Sequence, residues 1–589
     1  MESELRIIDL KHLKETYKRL KKSTKGFNTL IVRDVLDFID FEIEVDKYLN
    51  KIVFDINQGK YIPQKPYLIE SPKSKGINRP TVVLSIEDAL VYRYCIEQIE
   101  DILISKTRQK NVHGGIKISA IQNPSGNKEF YEKWFKDWHE YNLSLEKGLE
   151  FKEYAVFTDI ASYFENINLL VLKDLVRSDV KGKNEILNLL FYFLENSLIR
   201  YRYKVNTYNG LLQENIDCSR ILAYYFLHEH DDRMSEFCKE KSAEFYRFVD
   251  DMTILVDSEV DGKKALKVLT GSLRKLGLLS SIEKTSILTS GEANEELFFR
   301  ENKEISDFEQ ETINKLSKKE TIDGLIRITF KYYKTLRKKK SDKKNWVKIL
   351  KRFYTIFTYA KSNVLFPELI KHLIAYPILV SNEKILKYLI TNQKSKNFNK
   401  ILHDIIDYLY SNENLYPSLE SDLLEYFLAF ENRNLSDDLK EKLRKLCNDV
   451  FFKSNNFKPL SEYSRAIACL LFYKYDHTNI KKLANHYVKS NENDGILKKH
   501  LIFVSLTVVN QRLRINVLNK AKKEQDYSIN RLINFIEGLP RYSKNILVKR
   551  YCEKNEKFIY YKKGDEFKIT ETFDHIRGKI LKDLIRIYK

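Results

Sequence analysis

The sequence has little of what breaks or staples a chain. Glycine (18) and proline (10) are scarce across 589 residues, and half of the prolines fall in the first 125. With so few breakers most of the chain favours helix, and loops and extended pieces concentrate near the start. The six cysteines, Cys95, Cys218, Cys238, Cys447, Cys469 and Cys552, show no paired spacing. That argues against a disulfide framework or a zinc site and for reduced thiols. No apolar run is long enough to span a membrane, and Met1-Glu2-Ser3-Glu4-Leu5-Arg6 is no signal peptide. The expectation is a soluble cytoplasmic protein without a membrane partner.

What is present is a globular composition, 43% hydrophobic and 13% aromatic, in a chain long enough for two to four cores. Lys and Arg number 102 against 82 Asp and Glu, a formal charge of +20. Such an excess fits a polyanionic partner, nucleic acid first. An AT-rich genome that over-uses lysine gives the same excess, so charge alone does not decide.

Residues 1–60 alternate helical periodicity (Leu10, Leu13, Tyr17, Leu20) with many charges and predict a helical extension. The stretch from Pro72 to Pro80 predicts a basic hairpin. Next come a strand over Thr81–Leu84 and a helix from Ile86 to about Ser105, capped by Ser85. Further strands are predicted over Tyr154–Asp159, over Phe245–Val256 as a hairpin, and over Ser281–Leu288. Helices are predicted over Leu169–Arg200, from Ser219, and over Lys263–Leu276 with Gly277 as C-cap. Residues 61–295 thus read as α+β. Beyond them Leu, Ile, Tyr and Phe recur at three- and four-residue spacing, as in Ile349, Phe353, Ile356 and Tyr359. This predicts helical repeats over 296–490, loosely an α-solenoid, and an all-α domain over 491–589.

Chemistry concentrates at Asp250-Asp251, between the apolar runs Phe245–Val249 and Met252–Val256. Two adjacent carboxylates at a hairpin tip repel unless a cation neutralises them, and oxygen ligands suit Mg²⁺. Asp159, ending a predicted strand about 90 residues earlier, completes a three-carboxylate set able to hold two ions for in-line phosphoryl transfer. A basic run, Lys331, Lys334, Arg337-Lys338-Lys339-Lys340, Lys343-Lys344, Lys348 and Lys351-Arg352, is interleaved with Tyr332, Tyr333 and Trp346. That mixture suits backbone binding with base stacking, or a solvated helix face.

The blocks Pro72-Lys73-x-x-Gly76-x-x-Arg79-Pro80, Asp159-Ile160-x-x-Tyr163-Phe164, Gly210-x-x-Gln213, Phe248-Val249-Asp250-Asp251, Leu276-Gly277-Leu278 and Glu283-Lys284-Thr285 follow in a telling order. Over about residues 60–290 the chain resembles a prokaryotic reverse transcriptase of the kind related to group II introns. Ser219-Arg220-Ile221-Leu222, and a helical half where a maturase thumb would stand, most resemble the abortive-infection (Abi) or unknown-group defence lineage, the AbiA and AbiK polymerases.

The resemblance implies a right-hand fingers and palm core over 61–295 followed by helical repeats. It implies Asp159, Ile160, Asp250 and Asp251 as the site of two Mg²⁺ ions, with Mn²⁺ as a substitute, and Lys284 as a catalytic lysine near the leaving pyrophosphate. Lys73 and Arg79 would grip the dNTP triphosphate. Phe164 would bar a 2′-OH, and Gly210 and Gln213 would support nucleotide and template. Arg337, Lys338, Lys339, Lys340, Lys344 and Trp346 are the candidate nucleic-acid contacts. The lineage further implies phage defence, template-free and protein-primed synthesis of single-stranded DNA that stays covalently attached, and a homo-oligomer. Tyr542, Tyr551, Tyr560 and Tyr561 are candidate priming hydroxyls. A C-terminal HEPN-like domain is implied, inactive because its Arg-to-His signature is missing from the tail. Two alternatives stay open: an enzyme that copies a partner non-coding RNA, and a helical nucleic-acid-binding scaffold whose polymerase core is degenerate.

Overall fold

The computed structural model describes residues 7–588 apart from 27–31, 37–38, 75, 108, 116, 120–126, 199–207, 215, 381–383, 456, 554–556, 560–565 and 569–572. The chain is mostly helical with a small sheet region. Two short strands and three longer ones form the main sheet: β3 (Val112–His113), β4 (Tyr154–Asp159), β5 (Glu244–Phe248), β6 (Asp251–Val256) and β7 (Ser286–Thr289), in the order β3-β5-β6-β4-β7. The β3–β5 pair is parallel and the others antiparallel. These strands are rich in β-branched and aromatic residues because both faces are covered. Val156, Met252 and Ile254 pack into one core with the helices Glu259–Lys275 and His228–Lys241, whereas Ala155, Tyr246, Phe248 and Leu255 pack on the other face with Tyr141 and Leu145 of the helix Asn127–Leu149.

A separate hairpin is made by β1 (Tyr67–Ser74) and β2 (Ile77–Val83). A two-stranded ribbon is marginal alone, and this one is held from two sides. At its base the Val82 N–H donates to the Gln213 carbonyl at 2.8 Å. On its other side Ile69 is buried with the helical half, the Gly76 N–H donates to the Tyr416 hydroxyl at 2.8 Å, and the Tyr463 N–H donates to the Tyr67 hydroxyl at 3.1 Å.

From Phe299 to Tyr588 helices dominate. Their apolar residues share one core from Phe298 to Leu584, which also takes in Val32, Val35, Leu36 and Ile39 from near the N-terminus. That core runs through Tyr487, Leu497 and Leu501 with no break at residue 490. Several expectations are corrected. The tail is not all-α: β8 (Lys557–Ile559) and β9 (Glu566–Lys568) form an antiparallel pair. The helix Asn127–Leu149 was not anticipated, since its first half is too polar and aromatic to show a clean apolar stripe. The stretch from Leu169 is largely helical as expected, in two helices, Leu169–Asp179 and Asn184–Leu198, separated at Gly182, whose φ of +74° suits glycine. The strand expected from Ser281 is a 3₁₀ turn, Ile282–Lys284, before β7. Among the described residues no helix is long and apolar enough to cross a membrane.

A buried ion cluster ties the first residues to the last helices. Lys499 Nζ, 2% exposed, lies 2.8 Å from Asp34 and 2.9 Å from fully buried Asp40. Arg531 pairs with Glu87 and stands 3.7 Å from Asp40. Breaking one member strands charge in a dry site. Lys499→Met is therefore expected to lower stability by about 3–5 kcal/mol in urea unfolding, and adding Asp40→Asn to restore much of that loss.

Candidate active site

The β5–β6 turn consists of Val249 and Asp250, so Asp251 is the first residue of β6 and only Asp250 of the two aspartates lies in the turn itself. Val249 adopts φ +57°. A β-branched residue in the left-handed region is strained, by about 1–3 kcal/mol, and persists only where its surroundings insist. Here they do. Arg247, fully buried, donates to the Val249 carbonyl at 2.7 Å, forks onto Asp231 and lies 5.1 Å over the Tyr224 ring. From the other side the Val249 N–H reaches the His113 carbonyl at 3.4 Å. The His113 ring is fixed in turn by Asp137 at 2.6 Å, and Asp137 also accepts the Gly114 N–H at 2.7 Å. Gly114 must be glycine: its φ is +102° and a Cβ would meet Val249 Cγ2 at 2.8 Å.

This turn brings the three carboxylates to one sheet end. Asp159, last in β4, is the cross-strand partner of Asp251, first in β6, and directly opposed residues lie within about 5.5 Å at Cα. Asp159 is 3% exposed; Lys284, from the 3₁₀ turn, bonds its Oδ2, while its Oδ1 is buried without a hydrogen-bond partner. The Asp250 carboxyl is pushed up to about 7, by burial first and then by the charges of Asp159 and Asp251, against the pull of Arg79. Asp251 is half-exposed and turned toward Lys344, 3.9 Å away. Ile160 is buried, and its backbone forms a bridge with Ser280.

Among the described residues no group of three or more His, Cys, Asp or Glu side chains is placed to hold a metal ion by itself. Mg²⁺ rarely needs one: it takes one or two carboxylates and completes its shell with water and phosphate. Mutual repulsion among three aspartates and an orphaned buried Oδ1 are the marks of a set that fits a divalent cation.

Of the predicted nucleotide residues, Arg79 acts on this site directly. Arg79, exposed on β2, is close enough to Asp250 to pull its proton affinity down. Lys73 lies at the irregularity of β1 between Pro72 and Ser74. Phe164, half-buried, sits edge-on to Tyr163 with centroids 5.6 Å apart, and its carbonyl accepts the Leu211 N–H at 2.7 Å. Gly210, at φ +114°, donates to Ile167, and Gln213 joins that loop to β2 through Val82.

No family model and no curated protein matches the chain. Among solved structures it is similar to a telomerase from Candida tropicalis in complex with a TWJ fragment of telomeric RNA, at 12% identity, 68% of each chain covered and a TM-score of 0.27. A likeness that loose places no residue, so the site is read from its own geometry.

The basic run is only partly available. Lys338, Lys339 and Lys344 are exposed, but Arg337 pairs with Glu368 at 2.8 Å and Lys340 with Glu301 at 2.8 Å. Trp346 is no stacking platform; it is 1% exposed in the helical core, stacked on buried Tyr333. Lys348, of the same basic run, sits over the Trp138 ring at 4.8 Å, walled in enough to push its ammonium down despite Asp251 nearby. Two of the candidate priming tyrosines are already engaged. Tyr542 donates to Glu44 at 3.0 Å and Tyr551 to the Val35 carbonyl at 3.2 Å, both half-buried against the N-terminal segment. Tyr560 and Tyr561 lie outside the described residues. Arg247 had a sequence signal, a lone arginine inside an apolar strand; Asp231, Asp137 and His113, distant in sequence, had none.

The proton affinity of Asp250 sets a pH signature. With its folded value raised from 3.8 to about 7, the native state holds a proton that the unfolded chain releases, so the metal-free protein loses stability as pH rises from about 4 to 7. Asp250→Asn is expected to remove that loss. In thermal melts the variant should match wild type at pH 4 and exceed it at pH 8 by on the order of 4 kcal/mol, and Mg²⁺ should raise the melting temperature of wild type alone.

Proposed function

We propose that this chain is a nucleotidyltransferase of the reverse-transcriptase type that joins dNTPs to a DNA 3′ end. The observation that carries the reading is the convergence of Asp159, Asp250 and Asp251 at one sheet end, facing a cationic hairpin that bears Arg79. Asp159 and Asp250, with Asp251 alongside, hold two Mg²⁺ or Mn²⁺ ions, which when bound favour the ionised 3′-hydroxyl and stabilise the leaving oxygen. The O3′–Pα bond forms as the bond from Pα to pyrophosphate breaks. Arg79 and Lys73 bind the triphosphate as guanidinium fork and point charge. Phe164, backed by Tyr163, excludes a 2′-OH. Lys284 guards Asp159 in the metal-free site; once released it faces the pyrophosphate, where an ammonium neutralises charge or gives up a proton.

The finer reading is template-free, protein-primed synthesis of single-stranded DNA in abortive-infection defence. It rests on the order of the sequence blocks and on the long helical half packed against the β1–β2 hairpin. Tyr542 and Tyr551 are poor primers, since each hydroxyl is committed to a contact with the N-terminal segment.

The test is dNTP incorporation by protein purified free of nucleic acid. Asp159→Ala and Asp250→Ala are expected to lose about 10³-fold or more, the scale of removing a dominant electrostatic stabiliser; full incorporation by Asp250→Ala sinks the enzyme reading and leaves the scaffold. Phe164→Val is expected to cut the preference for dATP over ATP at least tenfold. Sequencing the product separates the modes, because a defined complementary copy refutes template-free synthesis and favours a copied RNA.

A further inference from the structure

A cavity of about 590 Å³ opens at the opposite end of β5 from the catalytic turn, between the last turns of the helices Asn127–Leu149 and His228–Lys241. Strand rise over Glu244–Phe248 puts its far end roughly 13 Å from the catalytic turn. Three exposed lysines converge on it from three separate segments, Lys110, Lys147 and Lys239. None of the three ammonium groups makes an ion pair or hydrogen bond among the described residues, in a chain where many surface lysines do. Phe151, 78% exposed, stands on its wall. The one carboxylate lining it, Glu244, is bonded to the Tyr246 hydroxyl. The floor is rigid: a Cβ on Gly148 would meet the Tyr246 hydroxyl and Leu255 at 2.6 Å, so helix and strand touch there.

Lys147 and Lys239 lie in the last turns of their helices, where cations offset the dipole. That accounts for neither Lys110, which is on no helix, nor a bare phenyl ring beside the three. Unpaired cations converging beside an exposed aromatic are the elements that bind phosphate and stack a base, and the volume suits one nucleotide.

We propose that this cavity is a second binding site for a nucleoside phosphate, free or as one residue of a single strand, with its phosphates on Lys110, Lys147 and Lys239 and its base on Phe151. The site is independent of the transfer chemistry and is tested without it. Equilibrium binding to the full chain is measured for dATP, tripolyphosphate and a twelve-residue oligothymidylate, in a Lys73→Ala/Arg79→Ala background that weakens the first site. The triple variant Lys110→Glu/Lys147→Glu/Lys239→Glu, checked for an unchanged melting temperature, is expected to lose dATP or oligonucleotide binding at least tenfold, and Phe151→Ala at least threefold. Loss with both ligands, or with dATP alone, marks a mononucleotide site; loss with the oligonucleotide alone marks a strand path. Affinities within twofold of the background protein in the triple variant overturn the proposal. So does tripolyphosphate binding as tightly as dATP with Phe151→Ala unchanged, since no base is then read. Failure of polymerisation in the preceding experiments leaves this result untouched.

Discussion

The geometry of the candidate site depends on one buried guanidinium. Arg247 satisfies Asp231 with two donors and spends another on the Val249 carbonyl. A buried ion pair seldom adds net stability over an apolar pair of the same volume, so its value here lies in direction. It holds a β-branched residue at positive φ, and that conformation makes the β5–β6 connection a two-residue turn. The tight turn fixes the register in which Asp251 opposes Asp159, with Asp250 beside both. A one-residue slip would send one of these carboxylates to the other face.

The helical half completes the site. The β1–β2 hairpin carries Lys73 and Arg79 but buries little of itself, and Tyr416, Tyr463 and the core around Ile69 supply the wall it leans on. Lys344 and Lys348 come from the same half and face Asp251. The ion cluster of Asp34, Asp40, Lys499 and Arg531 then ties the N-terminal segment into those helices. These contacts join sheet, hairpin and helices to one another.

Local patterns carried the strands and most helices, because alternation and 3.6-residue spacing are properties of a few neighbouring residues. Ser85, Asp250 and Gly277 were legible in this way. Partners were not. Nothing near Tyr551 in sequence announces that Val35 will take its hydroxyl, and nothing in the spacing of Trp346 separates a stacking platform from a core residue. Aromatics interleaved with lysines at helical spacing are what an amphipathic helix looks like from either side. The helix Asn127–Leu149 escaped for the opposite reason, since its polar first half carries no stripe.

The same distinction sharpens what the excess positive charge means. Much of it is spent on carboxylates, as at Arg337 and Lys340, and such pairs attract no polyanion. Two of the lysines near the candidate site are paired in a different sense: Lys284 with Asp159, and Lys344 loosely with Asp251. Each occupies a carboxylate that divalent cations would otherwise neutralise, which limits the repulsion that raises the proton affinity of Asp250. Neither is free to meet a polyanion while it holds its carboxylate. In this arrangement the site's positive potential toward phosphate is not a fixed property of the +20 chain. It depends on which of these ion pairs are made.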